Sequence, residues 1–245
     1  MNHDAHDMGI DDGPGRHSTP TIIRTDDMAD DHTAGSREGL ADNYFHDMYR
    51  DSDDPWGFTS RWYEQRKYAL SLAALSSPRY GSVFEPGCSV GVLSAQLATR
   101  ADHLLCMDVS PRAVELARER LDGHDSVEVR VGDIVSAWPS GRFDLIVLSE
   151  VLYYLGDADL DELIARLPES LTPTGEVLAV HWRWRVEEYP RTGDEVHAAL
   201  RSSALHPSAS YSDTDFCVDV MTSSPIGSVA QREGLVTVAD AHRTA

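Results

Sequence analysis

The sequence predicts an α/β fold, a Rossmann-like doubly wound and mostly parallel sheet, and three observations carry that prediction. Apolar segments ending in acidic residues recur at Val83-Phe84-Glu85, at Leu104-Leu105-Cys106-Met107-Asp108, at Val127 to Asp133 and at Phe143 to Glu150. Helix-like stretches separate them, the alternation a parallel sheet requires. The first strand runs through Glu85-Pro86-Gly87-Cys88-Ser89-Val90-Gly91 directly into a helix, the turn that cradles nucleotide-like cofactors at a helix N-terminus. Ligands of such sheets lie beyond the carboxyl ends of the strands, where Glu85, Asp108, Asp133 and Glu150 all fall.

Each element has a local reason. Tyr44, Phe45, Met48 and Tyr49 stand at helical spacing, and a second helix is expected over residues 59–75. Gly87 permits the sharp turn, and Gly91 is expected to let a ligand approach the backbone without a Cβ in the way. Ser110-Pro111 opens a helix that runs to Leu121, with Ser as N-cap and Pro at its first position. A further helix fits Asp159 to Leu171, then a turn at Thr172-Pro173-Thr174-Gly175, then a strand from Glu176 to Trp182. Residues 183–206 read as an insertion with a helix near Gly193 to Ser202, and Phe216, Val218 and Val220 alternate like a final antiparallel strand.

The turn is not the dinucleotide GxGxxG pattern, since no third glycine follows Gly91. Its acidic-x-Gly-x-small-x-Gly order resembles motif I of class I S-adenosylmethionine-dependent methyltransferases. Asp54-Pro55-Trp56, Tyr63-Glu64-x-Arg66 and Glu150-Val151-Leu152-Tyr153-Tyr154-Leu155 narrow the resemblance to the NodS group, over residues 53–180. It implies a seven-stranded class I methyltransferase fold with N-terminal cover helices, and S-adenosyl-L-methionine as cofactor. The group's named member N-methylates the free amino group of a deacetylated chitooligosaccharide. The segment after residue 180 matches no acceptor-binding motif of the group, so the expected acceptor is left as an amine of a small molecule or of an amino sugar or oligosaccharide. Alternatives are an O-methyltransferase, an NAD-dependent oxidoreductase or epimerase that uses Asp108 on the ribose, and a non-catalytic cofactor-binding relative.

On that resemblance Glu85, Gly87, Gly91 and Asp108 carry over, Glu85 near the methionine end and Asp108 on the ribose, and Asp133 meets the adenine amino group. Ser89, Val109, Ile134 and Ser149 are further cofactor-binding candidates, and Arg66, hard to bury unpaired, is expected to meet a carboxylate, either the cofactor's methionine end or a side chain such as Glu64. Glu150 is the first candidate to orient or deprotonate the acceptor, or else an acid at a helix N-terminus, and His181 is the second. Tyr153 is a further catalytic candidate; it and Tyr154, as consecutive helical residues, are not expected to face one pocket together. Trp56, Arg61 and Tyr63 are candidate lid residues, and Trp182, Trp184, Tyr189 and His197 form either a sugar platform or a buried flap.

Composition bounds the partners. The 245 residues suffice for one well-buried domain, taken as residues 39–225 between an acidic disordered tail, 1–38, and a C-terminal tail, 226–245. A formal net charge of −20 disfavours nucleic acid and anionic membrane surfaces. Cys88, Cys106 and Cys217 form no paired framework, and His3, His6, His17 and His32 fit no metal-ligand set. With no run of 18 apolar residues and no signal-like N-terminus, a cytoplasmic protein is expected.

Overall fold

The computed structural model of the protein describes residues 38–237, so the acidic stretch with its histidines lies, but for Glu38, outside the described residues. Two helices, α1 (Asp42–Asp51) and α2 (Trp62–Ala74), precede the alternating core. The core runs β1 (Tyr80–Pro86), α3 (Val92–Ala98), β2 (Ala101–Asp108), α4 (Pro111–Arg120), β3 (Val127–Val131) and β4 (Phe143–Ser149). It continues through α5 (Asp157–Ser170), β5 (Leu171–Trp182), α6 (Gly193–Arg201), β6 (His206–Ser212), β7 (Phe216–Thr222) and a short α7 (Val229–Arg232).

One seven-stranded sheet has the order β3-β2-β1-β4-β5-β7-β6, with β7 antiparallel to both of its neighbours. The chain travels outward from β1 to β3 and then returns to lay β4 on the other side of β1. The crevice at the carboxyl ends of β1 and β4 is therefore a topological switch point. Adjacent residues divide between two cores, because successive side chains of a strand point to opposite faces. Val83, Leu104 and Leu145 pack with α2, α3 and α4, while Phe84, Met107 and Ile146 pack with α5 and α6. Apolar runs in β1 and β4 are thus explained by burial on both sides.

Local signals act as expected at α4, where the Ser110 hydroxyl accepts from Ala113 N–H and Pro111 follows. Three departures have physical causes. Thr172 to Gly175 lie inside β5, bulged out between the pairs Phe143↔Leu171 and Leu145↔Glu176, so the turn signal marks a bulge in a continuing strand. β6 carries no strand signal in the sequence: its residues are mostly exposed, and at a sheet edge only one flank needs a partner. Behind it β7 is buried throughout, and α6, placed in the expected insertion, packs on β5 and β7. Within the expected C-terminal tail, Arg232 of α7 reaches Ser76 O and Oγ, each at 2.8 Å.

Candidate active site

A cavity of about 480 Å³ opens at the switch point, under α1 and α2. The turn after β1 builds one wall. Gly87 is left-handed (φ 71°), and a Cβ there would lie 2.1 Å from Val151 Cγ1, so any other residue would be strained and would displace Val151. Ser89 is also left-handed (φ 51°), and its hydroxyl bonds the Tyr49 hydroxyl of α1. Gly91 does a different job from the expected one: it is absent from the cavity wall, and its missing Cβ admits Ala117 of α4, whose Cα would be 3.2 Å away.

Three acids furnish the half of the cavity nearest this turn. Asp108 is buried, and each of its oxygens takes one backbone bond, from Ser89 N and from Ser110 N, both at 2.9 Å. Each oxygen retains a lone pair, the provision that two vicinal hydroxyls require. Asp133 accepts its bonds from Val135 N, Ser136 N and Ser136 Oγ through Oδ1, leaving Oδ2 for a donor such as an exocyclic amine. Glu85 is buried beside Cys106 Sγ, and burial raises its pKa to about 7. Val109, Ile134 and Ser149 line the same space, and His46 of α1 bonds Val109 O at 3.2 Å. The structure thus brings these candidate residues together on one side of the cavity, beneath α1.

The other half is organised by a residue that the motifs did not single out. Lys67 of α2 is 1% exposed, with Nζ 2.6 Å from Glu150 Oε1 and 2.8 Å from Glu64 Oε2. Burial opposes its charge most, and the two carboxylates restore it, so the ammonium is retained. Helical periodicity hides such a lysine, because an apolar stem with a charged tip reads as a surface residue. Glu150 is left-handed (φ 59°) ahead of a single 3-10 turn over Leu152–Tyr154, so it is not the first-turn acid of a helix. Its Oε2 accepts from Tyr153 Oη at 2.6 Å and from Trp182 N at 2.9 Å. Both carboxylate oxygens are therefore engaged, which makes Glu150 an organiser of this wall. Tyr153 and Tyr154 both line the cavity, since the tight turn splays consecutive side chains differently from an α-helix.

His181 and Arg66 are placed elsewhere. His181 is fully buried and outside the cavity wall; its Nε2 must accept the Leu152 N–H at 3.2 Å. The ring hydrogen is then on Nδ1 and is donated to His197 Nε2 at 3.1 Å, and His197 Nδ1–H donates to Asp219 at 2.6 Å. Burial above all pushes the His181 pKa well down, so its ring is neutral and braces the loop after β4 without touching a ligand. His197 belongs to this chain and not to a sugar platform, whereas Trp182 and Tyr189 do reach the cavity. Arg66 points away from it, 2.6 Å from Asp213 and bonded to Tyr211, while Arg61 lines it. Trp56 and Tyr63 also line it, and Trp56 Nε1 and Tyr63 Oη are buried without hydrogen-bond partners.

Residues 41–180, more than half of the chain, match the family described as Nodulation protein S (NodS). The chain belongs to the NodS family. Among curated relatives, nodulation protein S of Rhizobium tropici is 32% identical over 129 residues, 52% of this chain and 54% of that protein. Its Sinorhizobium fredii counterpart is 31% identical over 140 residues, 56% of this chain and 65% of that protein. The chain thus matches between about half and two thirds of the length of these NodS relatives. A putative methyltransferase from Pseudomonas syringae is 46% identical, with a TM-score of 0.59, over 66% of this chain and 99% of that one. The N-methyltransferase NodS from Bradyrhizobium japonicum WM9, solved with S-adenosyl-L-homocysteine, has a TM-score of 0.65 at 24% identity over 74% of this chain and 97% of that one, a likeness of fold. The Rossmann-like, seven-stranded sheet is the fold these solved structures share with the chain. Among the described residues no helix is long and apolar enough to cross a membrane, and no group of side chains is arranged to hold a metal ion.

Proposed function

We propose that the protein methylates the nitrogen of an amine, using S-adenosyl-L-methionine. The residues present fit that cofactor: Asp108 for the ribose hydroxyls, Asp133 Oδ2 for the adenine amino group, and the Gly87 turn with Glu85 for the methionine end. The buried, unpartnered Trp56 Nε1 supplies a hydrogen-bond donor on the same cavity. When bound, the cofactor would supply a sulfonium-activated methyl group to the amine lone pair.

The observation that carries the choice of nitrogen is the state of Glu150. An alcohol needs a base during transfer, whereas Glu150 is tied to the Lys67 ammonium, Tyr153 Oη and Trp182 N, and no described histidine lines the cavity. An amine needs only to be deprotonated beforehand. For a lysine-like amine at pH 7 that costs about 4.6 kcal/mol. Holding the two reactants in line is worth roughly 7–11 kcal/mol, so positioning outweighs it. The protein's own part is to orient, through Glu150, Tyr153 and the roof of α1, and to exclude water.

Calorimetric titration with S-adenosylmethionine, S-adenosylhomocysteine and NAD tests the cofactor, followed by S-adenosylhomocysteine release with a panel of amines and matched alcohols. Binding of the two adenosyl ligands with turnover of amines alone is the expected result. Binding of NAD alone, or turnover of the alcohols alone, would overturn it. Asp108→Ala is expected to weaken the adenosyl ligands by about 1.5–3 kcal/mol, the value of hydrogen bonds to a charged group.

A further inference from the structure

Resting on the amine reading above, we infer that the acceptor half of the cavity takes a compact ammonium with an apolar or aromatic body, and not an oligosaccharide. Four features of that half point the same way.

The first is its wall. Phe45, Tyr63, Tyr153, Tyr154, Trp182 and Tyr189 surround the space beyond Glu150, with Leu40, Leu155 and Val186 between them. Tyr63 stands edge-on to Trp182 (5.1 Å, 89°), and Phe45 edge-on to Tyr154 (4.9 Å, 78°), so two packed groups of rings supply the wall. The second is that the cavity already holds one buried ammonium, paired with carboxylates and beside aromatic rings. Lys67 Nζ lies 5.2, 5.4 and 5.9 Å from the ring centroids of Tyr63, Tyr68 and Phe58, within the reach of cation–π attraction.

Charge is the third. Asp42, Glu64, Glu150 and Asp215 line the cavity against two cations, Lys67, held by two of these carboxylates, and Arg61. The excess is negative, which favours a ligand that is a cation both before and after methylation. Hydrogen-bonding capacity is the fourth. Tyr153 Oη is spent on Glu150, the Tyr154 and Tyr189 hydroxyls face each other at 3.4 Å, and the Tyr63 hydroxyl alone of these is without a partner. A buried sugar chain would lose water from many hydroxyls, and of these tyrosines Tyr63 alone offers an open hydroxyl in return. Space agrees: pockets of about 300–1,000 Å³ enclose one drug-sized ligand, and here some 480 Å³ must take cofactor and acceptor together. Leu40 N–H bonded to Tyr154 O at 2.9 Å ties the segment before α1 across that space.

The test separates this inference from the reading beneath it. The full chain is titrated first with S-adenosylhomocysteine and then, with that ligand saturating, with benzyltrimethylammonium, benzyl alcohol and fully deacetylated chitobiose. Benzyltrimethylammonium cannot be methylated, so its binding reports the chamber alone. It should bind at least about tenfold more tightly than either other probe, and Trp182→Leu should weaken it about fivefold or more while S-adenosylhomocysteine affinity, which reports folding, is unchanged. Chitobiose binding as tightly as the ammonium, or an ammonium affinity equal to that of benzyl alcohol, would overturn the inference and leave the methyltransferase reading intact. Failure of S-adenosylhomocysteine to bind would instead overturn the proposed function.

Discussion

The two halves of the cavity hold their carboxylates in different ways. Asp108 and Asp133 are fixed by backbone N–H groups at the turns after their own strands and after β1. Glu150 is fixed by Lys67, 83 residues earlier in the chain, and by Trp182 N, 32 residues later. The first arrangement forms wherever the sheet forms. The second exists only once α2 has docked, so the acceptor half depends on long-range packing that the cofactor half does without.

Removing Lys67 is the largest way to break that contrast. Lys67→Met keeps the stem and leaves Glu64 and Glu150 buried without their cation, and deleting one partner of a buried pair costs about 3–5 kcal/mol. Urea denaturation should show a loss of that size, and adding Glu150→Gln should return part of it. A loss below about 1 kcal/mol, the range of exposed pairs, would mean that the two carboxylates are effectively solvated.

Glu85 sharpens the comparison, because it is a buried acid of the cofactor half with no cation beside it. Its pKa of about 7, against an ordinary 4.5, means that the folded protein keeps a proton that the unfolded chain has released. Stability then falls as pH rises from 4.5 through 7, and levels off above that. Each tenfold difference in proton affinity is worth about 1.4 kcal/mol, so Glu85→Gln should gain roughly 2–3 kcal/mol on the parent protein between pH 5 and pH 8. Parallel denaturation curves over that range would place Glu85 in contact with water.

The same contrast governs what can be read from the chain. Glu85, Gly87, Asp108 and Asp133 are legible because strand ends and turns are local patterns, and the sheet then brings them together without further instruction. Gly91 is legible as a glycine but not as a seat for Ala117, since α4 lies further along the chain and meets the turn only once the sheet has closed. Arg66 and Lys67 are neighbours on α2, and the motif favours the arginine. Only the docking of α2 decides which one faces inward, and that depends on β7 and on the exposed β6, whose Tyr211 and residue Asp213 beyond it draw Arg66 outward. His181 is visible as a titratable group at a strand end. Its role is not, because a buried imidazole and a catalytic one leave the same trace in a sequence.

His181 offers the smallest and most discriminating change. His181→Leu leaves the buried Leu152 N–H without an acceptor, a penalty of about 1–3 kcal/mol, whereas Gln can accept it and still donate to His197. Because the ring is held neutral in the fold, it contributes stability above its ordinary pKa of 6.5 that is lost as pH falls through that value. That slope is opposite to Glu85's, so the two mask each other in the parent protein between pH 5 and pH 7. His181→Gln should therefore become more stable relative to the parent as pH falls, while Glu85→Gln becomes less so. If His181 positions the Glu150–Tyr154 loop, His181→Leu should lower kcat for methyl transfer about tenfold, near 1.4 kcal/mol, with S-adenosylhomocysteine affinity unchanged and Gln restoring most of the rate. An equal loss of S-adenosylhomocysteine affinity in both variants would tie His181 to the cofactor half, and the division between the halves would fail at that residue.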